Sequence, residues 1–293
     1  MKKFLELLNK QGIKYLIEDN KITVDGNLNL RNKGIKALPE NLFVNGDLIL
    51  TYTRIEALPK NFSVSGDLDL TNTEIKKLPE NILIGGYLYL TNTEIKALPK
   101  NFSISGSLNL AKTNITALPE NLSVQGDLNL TVTNIKMLPE NLSVGGNLYL
   151  GFTEIEALPE HFSIKGDLDL KFTKMTRLPE YLSVDGHLNI ESTEIQELPE
   201  TLSVGRGIYL DIDQIQNIAY RKTDEDNSQI IFACWVNGAF AIQAMEFFGT
   251  LADFEKKVDE NYSEENAIKY KKMANECIKE LSTKLNKPLP IVN

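Results

Sequence analysis

Proline falls at every twentieth position from Pro39 to Pro199, nine of the eleven prolines in the chain, and leucine precedes each one. Glycine keeps the same period from Gly26 to Gly186, and threonine keeps it from Thr53 to Thr193. About ten such units run from Ile22 to Ile215. A unit this short cannot close an apolar core on its own. Stacked copies can, so the repeat dictates a solenoid.

The spacing inside one unit assigns its parts. Leu128 and Leu130 lie two apart and share one face of a short strand, which sends Asp127, Asn129 and Thr131 to the other face. Ile135, Leu138, Leu142 and Val144 return to the same core. The return holds a proline, which would interrupt a central ladder, so the Leu-Pro corner is extended or a turn, with a second short parallel strand at Leu142–Val144. The glycine column marks a bend with positive φ or a close approach between coils. The threonine column is expected to aim its hydroxyls at backbone groups of neighbouring coils, because buried polar groups need partners.

Composition narrows the chemistry. The 293 residues carry 31 Lys+Arg against 40 Asp+Glu, a net charge of −9, which argues against a protein that grips nucleic-acid phosphates directly. No apolar run is long enough to span a membrane. The opening Met1–Leu8 holds Glu6 within its apolar stretch and lacks a small-residue cleavage site, so a cytoplasmic protein of a bacterial or infected cell is expected rather than a secreted one. Two cysteines cannot make a disulfide framework. Cys234 on an apolar strand and Cys277 on a helical stripe read as buried structural residues, because a nucleophile needs a base and His161 and His187 sit far away in the repeat. The Asp67/Asp69 and Asp167/Asp169 pairs could begin a calcium site, but the other oxygen ligands of such a loop are missing and solvated carboxylates fit better. No phosphate-binding loop, dinucleotide fingerprint, zinc cluster or nucleophile elbow occurs. No catalytic residue, cofactor or metal is expected.

The pattern Leu-x-Leu-x-x-Thr-x-Ile-x-x-Leu-Pro resembles a short bacterial-type leucine-rich repeat. Its Val-x-Gly-x-Leu-x-Leu-x-x-Thr form is similar to repeat proteins encoded by bacteria and their phages. The resemblance covers about two thirds of the chain and departs from the family where threonine replaces the usual asparagine. It implies a binding role and names no ligand. The large helical ligase domain of secreted effectors with such repeats would not fit in the remainder. The expected fold is therefore a mainly β, leucine-rich-repeat-like solenoid of about ten coils, with a short N-terminal helical cap and a small C-terminal α+β region.

The ends of the repeat read as follows. Phe4, Leu5, Leu7 and Leu8 make residues 2–11 a short amphipathic helix, and Tyr15–Ile17 with Lys21–Val24 predict a hairpin, so residues 1–21 form an N-terminal cap. The solenoid occupies 22–216 and decays where Arg206 and Asp213 replace the column glycine and threonine. Residues 221–229 read as a linker or exposed loop. Ile230–Val236 and Ala239–Met245 flank Asn237-Gly238, a two-residue hairpin signal that sets Trp235 opposite Phe240 and Ala233 opposite Ile242. Thr250 with Asp253, and then Ser263, can start two helices, completing a region at 217–293.

The outward columns of the main strand carry Asp47, Asp67, Asp127, Asp167, Tyr87 and His187 before the first leucine, and Asp69, Asp169, Tyr89, Tyr149 and Tyr209 between the leucines. Lysine is absent from both columns. A merely soluble sheet face would account for this. So would a partner surface, with tyrosine as anchor and an acidic field suited to a basic protein such as a nucleic-acid-handling enzyme. The function expected is a non-catalytic protein-binding scaffold. The phage resemblance together with the acidic face extends this to an inhibitor of a host nucleic-acid-targeting defence protein. The alternative is a targeting module for a C-terminal enzymatic or effector domain.

Overall fold

The computed structural model describes residues 1–223 and 229–290. The chain is a mainly β, leucine-rich-repeat-like solenoid of about nine turns, with an N-terminal helix and a C-terminal antiparallel sheet and helices. The count falls one short of the expected ten because the tenth main strand, Gly207–Tyr209, has no Leu-Pro return after it. The chain divides into two compact units, Met1–Ile155 and Glu156–Asn293.

In the first unit, helix Lys2–Lys10 buries Phe4 and Leu8, while Leu5 and Leu7 are only half-buried. Strands Tyr15–Glu18 and Lys21–Val24 pair as the expected hairpin through Asp19 and Asn20, both at positive φ. Each coil then contributes a two-residue main strand, from Leu28–Asn29 to Leu148–Tyr149. These strands pair in parallel with a constant offset of twenty, Leu108 opposite Leu88 and Leu128, and Leu128 opposite Leu148. The leucines of this row are fully buried, as are Ile55, Ile75, Ile95, Ile115 and Ile135 on the return.

The return strands form a second set, which is interrupted. Lys21–Val24, Leu42–Val44, Phe62–Val64 and Leu83–Ile84 pair in sequence, and a new sheet starts with Ser103–Ile104, Ser123–Val124 and Ser143–Val144. Across the break Ser105 Oγ donates to Gly85 O at 2.9 Å. The Leu-Pro corners are turns, as expected: the carbonyls of Pro99, Pro119 and Pro139 accept from the amides three residues on.

Two columns resolve differently from, or more narrowly than, their sequence reading. The threonine hydroxyls serve their own coil and not a neighbour: Thr53 Oγ1 donates to Leu50 O at 2.7 Å, and every threonine to Thr193 repeats this bond to the residue three before it. The bond caps the carbonyl that ends each main strand. Of the column glycines only Gly26 has positive φ. The others answer to close approach: a Cβ on Gly66 would lie 2.2 Å from Asp47 Oδ1 and 2.9 Å from the Gly46 carbonyl carbon.

The second unit has main strands Leu168–Asp169, His187–Asn189 and Gly207–Tyr209, with return strands Ser163–Ile164, Ser183–Val184 and Ser203–Val204. The hairpin has the expected register, with Trp235 opposite Phe240 and Ala233 opposite Ile242. Two strands not foreseen flank it, Ala219–Lys222 and Phe247–Gly249, making a four-stranded antiparallel sheet. Arg221 and Lys222 are therefore sheet and not loop, and residues 224–228 of the expected linker lie outside the described residues. Helix Leu251–Asn261 starts at Thr250, whose hydroxyl accepts from the Asp253 amide at 3.2 Å. Helix Glu264–Leu285 follows Ser263, which makes no side-chain cap bond, and buries Ala267, Tyr270, Ala274, Cys277 and Leu281 against the sheet.

This C-terminal sheet closes the open edge of the last coil. Asn237, held at φ 55° in the hairpin turn, donates its amide to Leu202 O at 2.9 Å. Its side chain accepts from Val204 N at 3.1 Å and donates to Val204 O at 2.8 Å. Gln243 Oε1 accepts from Ile208 N at 2.8 Å. Each of these groups takes the place a following coil would fill.

Two stability outcomes follow. Leu128→Asp puts an unpaired charge at a fully buried site shared by neighbouring coils, and should cost at least about 4 kcal/mol and broaden the melt over several coils. Wild-type circular dichroism and melting would refute the shared core. Asn237→Gly keeps the positive φ and the backbone bond to Leu202 O but deletes the side-chain bonds to Val204, so a loss of about 1–3 kcal/mol is expected in denaturant titration.

Candidate functional site

The outward face of the main strands is set by parity. Because the strand is two residues long, the residue before its first leucine and the residue after it both point away from the core, and the coil turns inward again at the second leucine. All the sequence-predicted site residues lie on this face, Asp47, Asp67, Asp69, Tyr87, Tyr89, Asp127 and Tyr149 in the first unit and Asp167, Asp169, His187 and Tyr209 in the second. Tyr87 and Tyr209 are each 45% exposed, and the rest are half-buried between neighbouring coils.

Half-burial has a cause that the sequence did not reveal. The aspartates before the first leucine hold the coils together. Asp47 Oδ1 accepts from Asp67 N at 2.9 Å, Asp67 Oδ1 from Tyr87 N at 2.7 Å, and Asp127 Oδ1 from Asn147 N at 2.7 Å. In the second unit Asp167 Oδ1 accepts from His187 N at 2.8 Å. Asn27 and Ser107 fill the same role with their own oxygens. In the other column, Asp69 and Asp169 accept from the amides of Thr71 and Lys171 two residues on, as Asn109 and Asn129 do in their coils. These bonds turn the chain out of the strand. Each carboxylate thus engages the backbone through Oδ1. Asp169 also meets Lys171 Nζ at 3.5 Å through Oδ2.

The tyrosines are arranged in two ways. Tyr87 and Tyr89 lie edge to face with ring centroids 6.2 Å apart. Burial, and after it the charges of Asp67, Tyr87, Asp69 and Asp47, raise the Tyr89 phenol above its ordinary range, so the ring stands in a negative field. Tyr149 Oη accepts from Asn147 Nδ2 at 2.9 Å. In the second unit Tyr209 stands 5.4 Å from the His187 ring, whose Nδ1 is buried without a hydrogen-bond partner.

The cysteines are placed as cores require. Burial pushes the Cys234 and Cys277 thiols up to about 12, so neither is a thiolate near neutrality. His161 stacks on Tyr181 with centroids 4.8 Å apart. Among the described residues no group of three or more His, Cys, Asp or Glu side chains is arranged to hold a metal, and no helix is long and apolar enough to cross a membrane.

Two features went unread in the sequence. The residue between the paired positions of the strand-end turn, as in Thr131-Val132-Thr133, has positive φ in coil after coil, and Tyr52, Val132 and Phe152 are exposed there, as Phe172 is in the second unit. On the return side of the first unit, Phe43 and the exposed Leu83 replace the serine of their column and flank Ser63 over a groove of about 1080 Å³. The signal in both cases was a bulky apolar residue in a column otherwise small or polar.

The repeat and the parallel stacking define a leucine-rich-repeat-like protein. A solved structure similar to this chain is that of the leucine-rich effector protein YopM from Yersinia pestis, at 16% identity over 62% of this chain and 83% of that one, with a TM-score of 0.21. No protein-family profile and no curated protein matches the chain.

The double use of the aspartates separates shape from charge. Asp67→Asn retains an acceptor for Tyr87 N and should leave the melting temperature within error of wild type. Asp67→Ala orphans that amide and should cost about 0.5–1.5 kcal/mol in denaturant titration. Equal melts for the two variants would remove the ladder role.

Proposed function

We propose that the chain is a non-catalytic protein-binding scaffold that takes a basic partner on the open face of its main sheet. Leucine-rich-repeat-like solenoids commonly serve as protein-binding scaffolds. The observation that carries the reading here is the Tyr87–Tyr89 pair set among Asp47, Asp67 and Asp69. Aromatic rings supply contact area at little entropic cost, and carboxylates already fixed by backbone bonds need no reordering on binding. A partner that handles nucleic acid presents the basic surface this face complements, which is the basis for reading the chain as an inhibitor of such an enzyme. The alternative, a targeting module for a C-terminal enzymatic or effector domain, has less support: the hairpin of that region directs Asn237 and Gln243 to the last coil, and its cysteines are buried.

Replacing Tyr87, Tyr89 and Tyr149 by Ala should weaken partner binding at least tenfold, chiefly through faster dissociation. Replacing Asp67, Asp127 and Asp167 by Asn should slow association and flatten its salt dependence. Surface plasmon resonance against the partner recovered from the native host checks both. Glu120→Gln with Glu140→Gln is the control on another side of the coil. If the control weakens binding as much while the face variants stay near wild type, the site is elsewhere.

A further inference from the structure

The coils are not equivalent, and the inequality has a period of three. A tyrosine stands between the leucines at 89, 149 and 209, sixty residues apart, with no other tyrosine in that column. The same three coils carry a glycine one position before the glycine column, at Gly85, Gly145 and Gly205. In each case a Cβ there would lie 2.1–2.2 Å from a carbonyl oxygen of the preceding coil. In the first unit the return sheet breaks after the first of these coils, between Ile84 and Ser103, and the next sheet spans three coils ending at Val144. In the second unit a further three-stranded return sheet ends at Val204. Side chain, backbone packing and sheet breaks mark the same three-coil block, and the last coil of each block presents a tyrosine between its two core residues, joined in the first case by Tyr87.

Within the first unit the pairing fixes where two of these rings lie. Tyr89 is opposite Asn109, Asn109 opposite Asn129, and Asn129 opposite Tyr149. Three parallel strand spacings put the two tyrosines about 14 Å apart along one row. Tyr89 has two carboxylates on its preceding coil and Tyr149 has one. Asp69 is opposite Tyr89, with Asp67 bonded to Tyr87 N. Asp127 is bonded to Asn147 N, and Asn147 in turn to the Tyr149 hydroxyl. The row between them, Asn109 and Asn129, is neutral and spends its oxygens on its own turns.

We infer that this row is a two-point reader: Tyr89 and Tyr149, with their flanking aspartates, each receive one cationic side chain, and the partner is a protein segment presenting two arginines about 14 Å apart. A planar guanidinium suits both groups at once, stacking on a phenol ring while its edge faces a carboxylate. The inference rests on the proposed role of the face and adds the spacing and the chemistry of the contact. Because both points are set on paired strands of one sheet, the second contact follows the first at a high effective concentration when the spacing matches.

The test uses the full chain with ring-labelled tyrosine and two synthetic peptides of the same composition, Arg-Pro-Pro-Pro-Pro-Arg and its isomer Arg-Arg-Pro-Pro-Pro-Pro. In the first, the extended proline helix holds the arginines about 15 Å apart. Titration at low salt, followed by tyrosine ring signals, should show the spaced peptide binding at least tenfold more tightly than its isomer. Either Tyr89→Ala or Tyr149→Ala should reduce the spaced peptide to the affinity of the isomer, and the double variant should bind both peptides more weakly still. If both peptides perturb Tyr87, Tyr89 and Tyr149 with equal affinity, the face takes cations but the two-point inference is overturned. If neither perturbs those rings, the basic-partner reading of the face falls as well.

Discussion

The structure depends on one hydrogen bond that recurs along the chain, from the amide before the main strand to a side-chain oxygen one coil earlier, at Asp47, Asp67, Tyr87, Asp127, Asn147 and His187. Asp67 shows the geometry: its carbonyl accepts from Leu48 N and its amide donates to Asp47 Oδ1, so both backbone groups turn to the preceding coil. The carboxylate must sit where the column glycine of the next coil passes, which leaves that glycine no room for a Cβ. One bond thereby fixes the aspartate, the glycine and the offset of twenty. The leucine core then follows, because constant offset stacks Leu128 on Leu108 and Leu148 on Leu128 with no register slip.

This arrangement gives the outward face two roles. An oxygen engaged by a backbone amide cannot swing, so the acidic groups are fixed before any partner arrives. Under the proposed function the tyrosine rings and the carboxylate charges are what a partner reads, although Asp47 Oδ2 already accepts from Asn27 Nδ2 at 3.0 Å and Asp169 Oδ2 meets Lys171 Nζ at 3.5 Å. A face built in this way changes charge by an Asp-to-Asn exchange without losing its shape, as Asn27 demonstrates by doing the work of Asp47 with an amide oxygen.

What was legible in the sequence was whatever a period or a turn signal decides alone. The twenty-residue offset, the buried Leu and Ile columns and the Trp235–Phe240 pairing all follow from spacing, the last because Asn237-Gly238 permits one hairpin register. The threonine bonds were misplaced because a buried hydroxyl is satisfied equally well by its own coil or the next, and only the turn geometry after Leu50 selects the first. Strand Ala219–Lys222 was missed because Arg221 and Lys222 opened the stretch that read as a polar linker, whereas Arg221 reaches Glu280 at 2.8 Å and Glu276 at 3.4 Å on the long helix. On the candidate site, parity placed the chosen residues on the outward face of the main strands, where the structure has them. It could not show that Asp47, Asp67 and Asp127 are structural, since that needs the neighbouring coil in place.

The closure of the last coil has a consequence for solubility at high concentration. An uncapped parallel stack ends in a row of unpaired amides and carbonyls, and a second molecule could add its first coil there as a further strand. Repetition of that addition gives a filament, since head-to-tail joining of identical units has no natural stopping point. Asn237 and Gln243 occupy those positions with side-chain amides, which end the ladder while offering no strand to copy. The same two residues that finish the fold thus keep this edge from serving as a template for polymerisation.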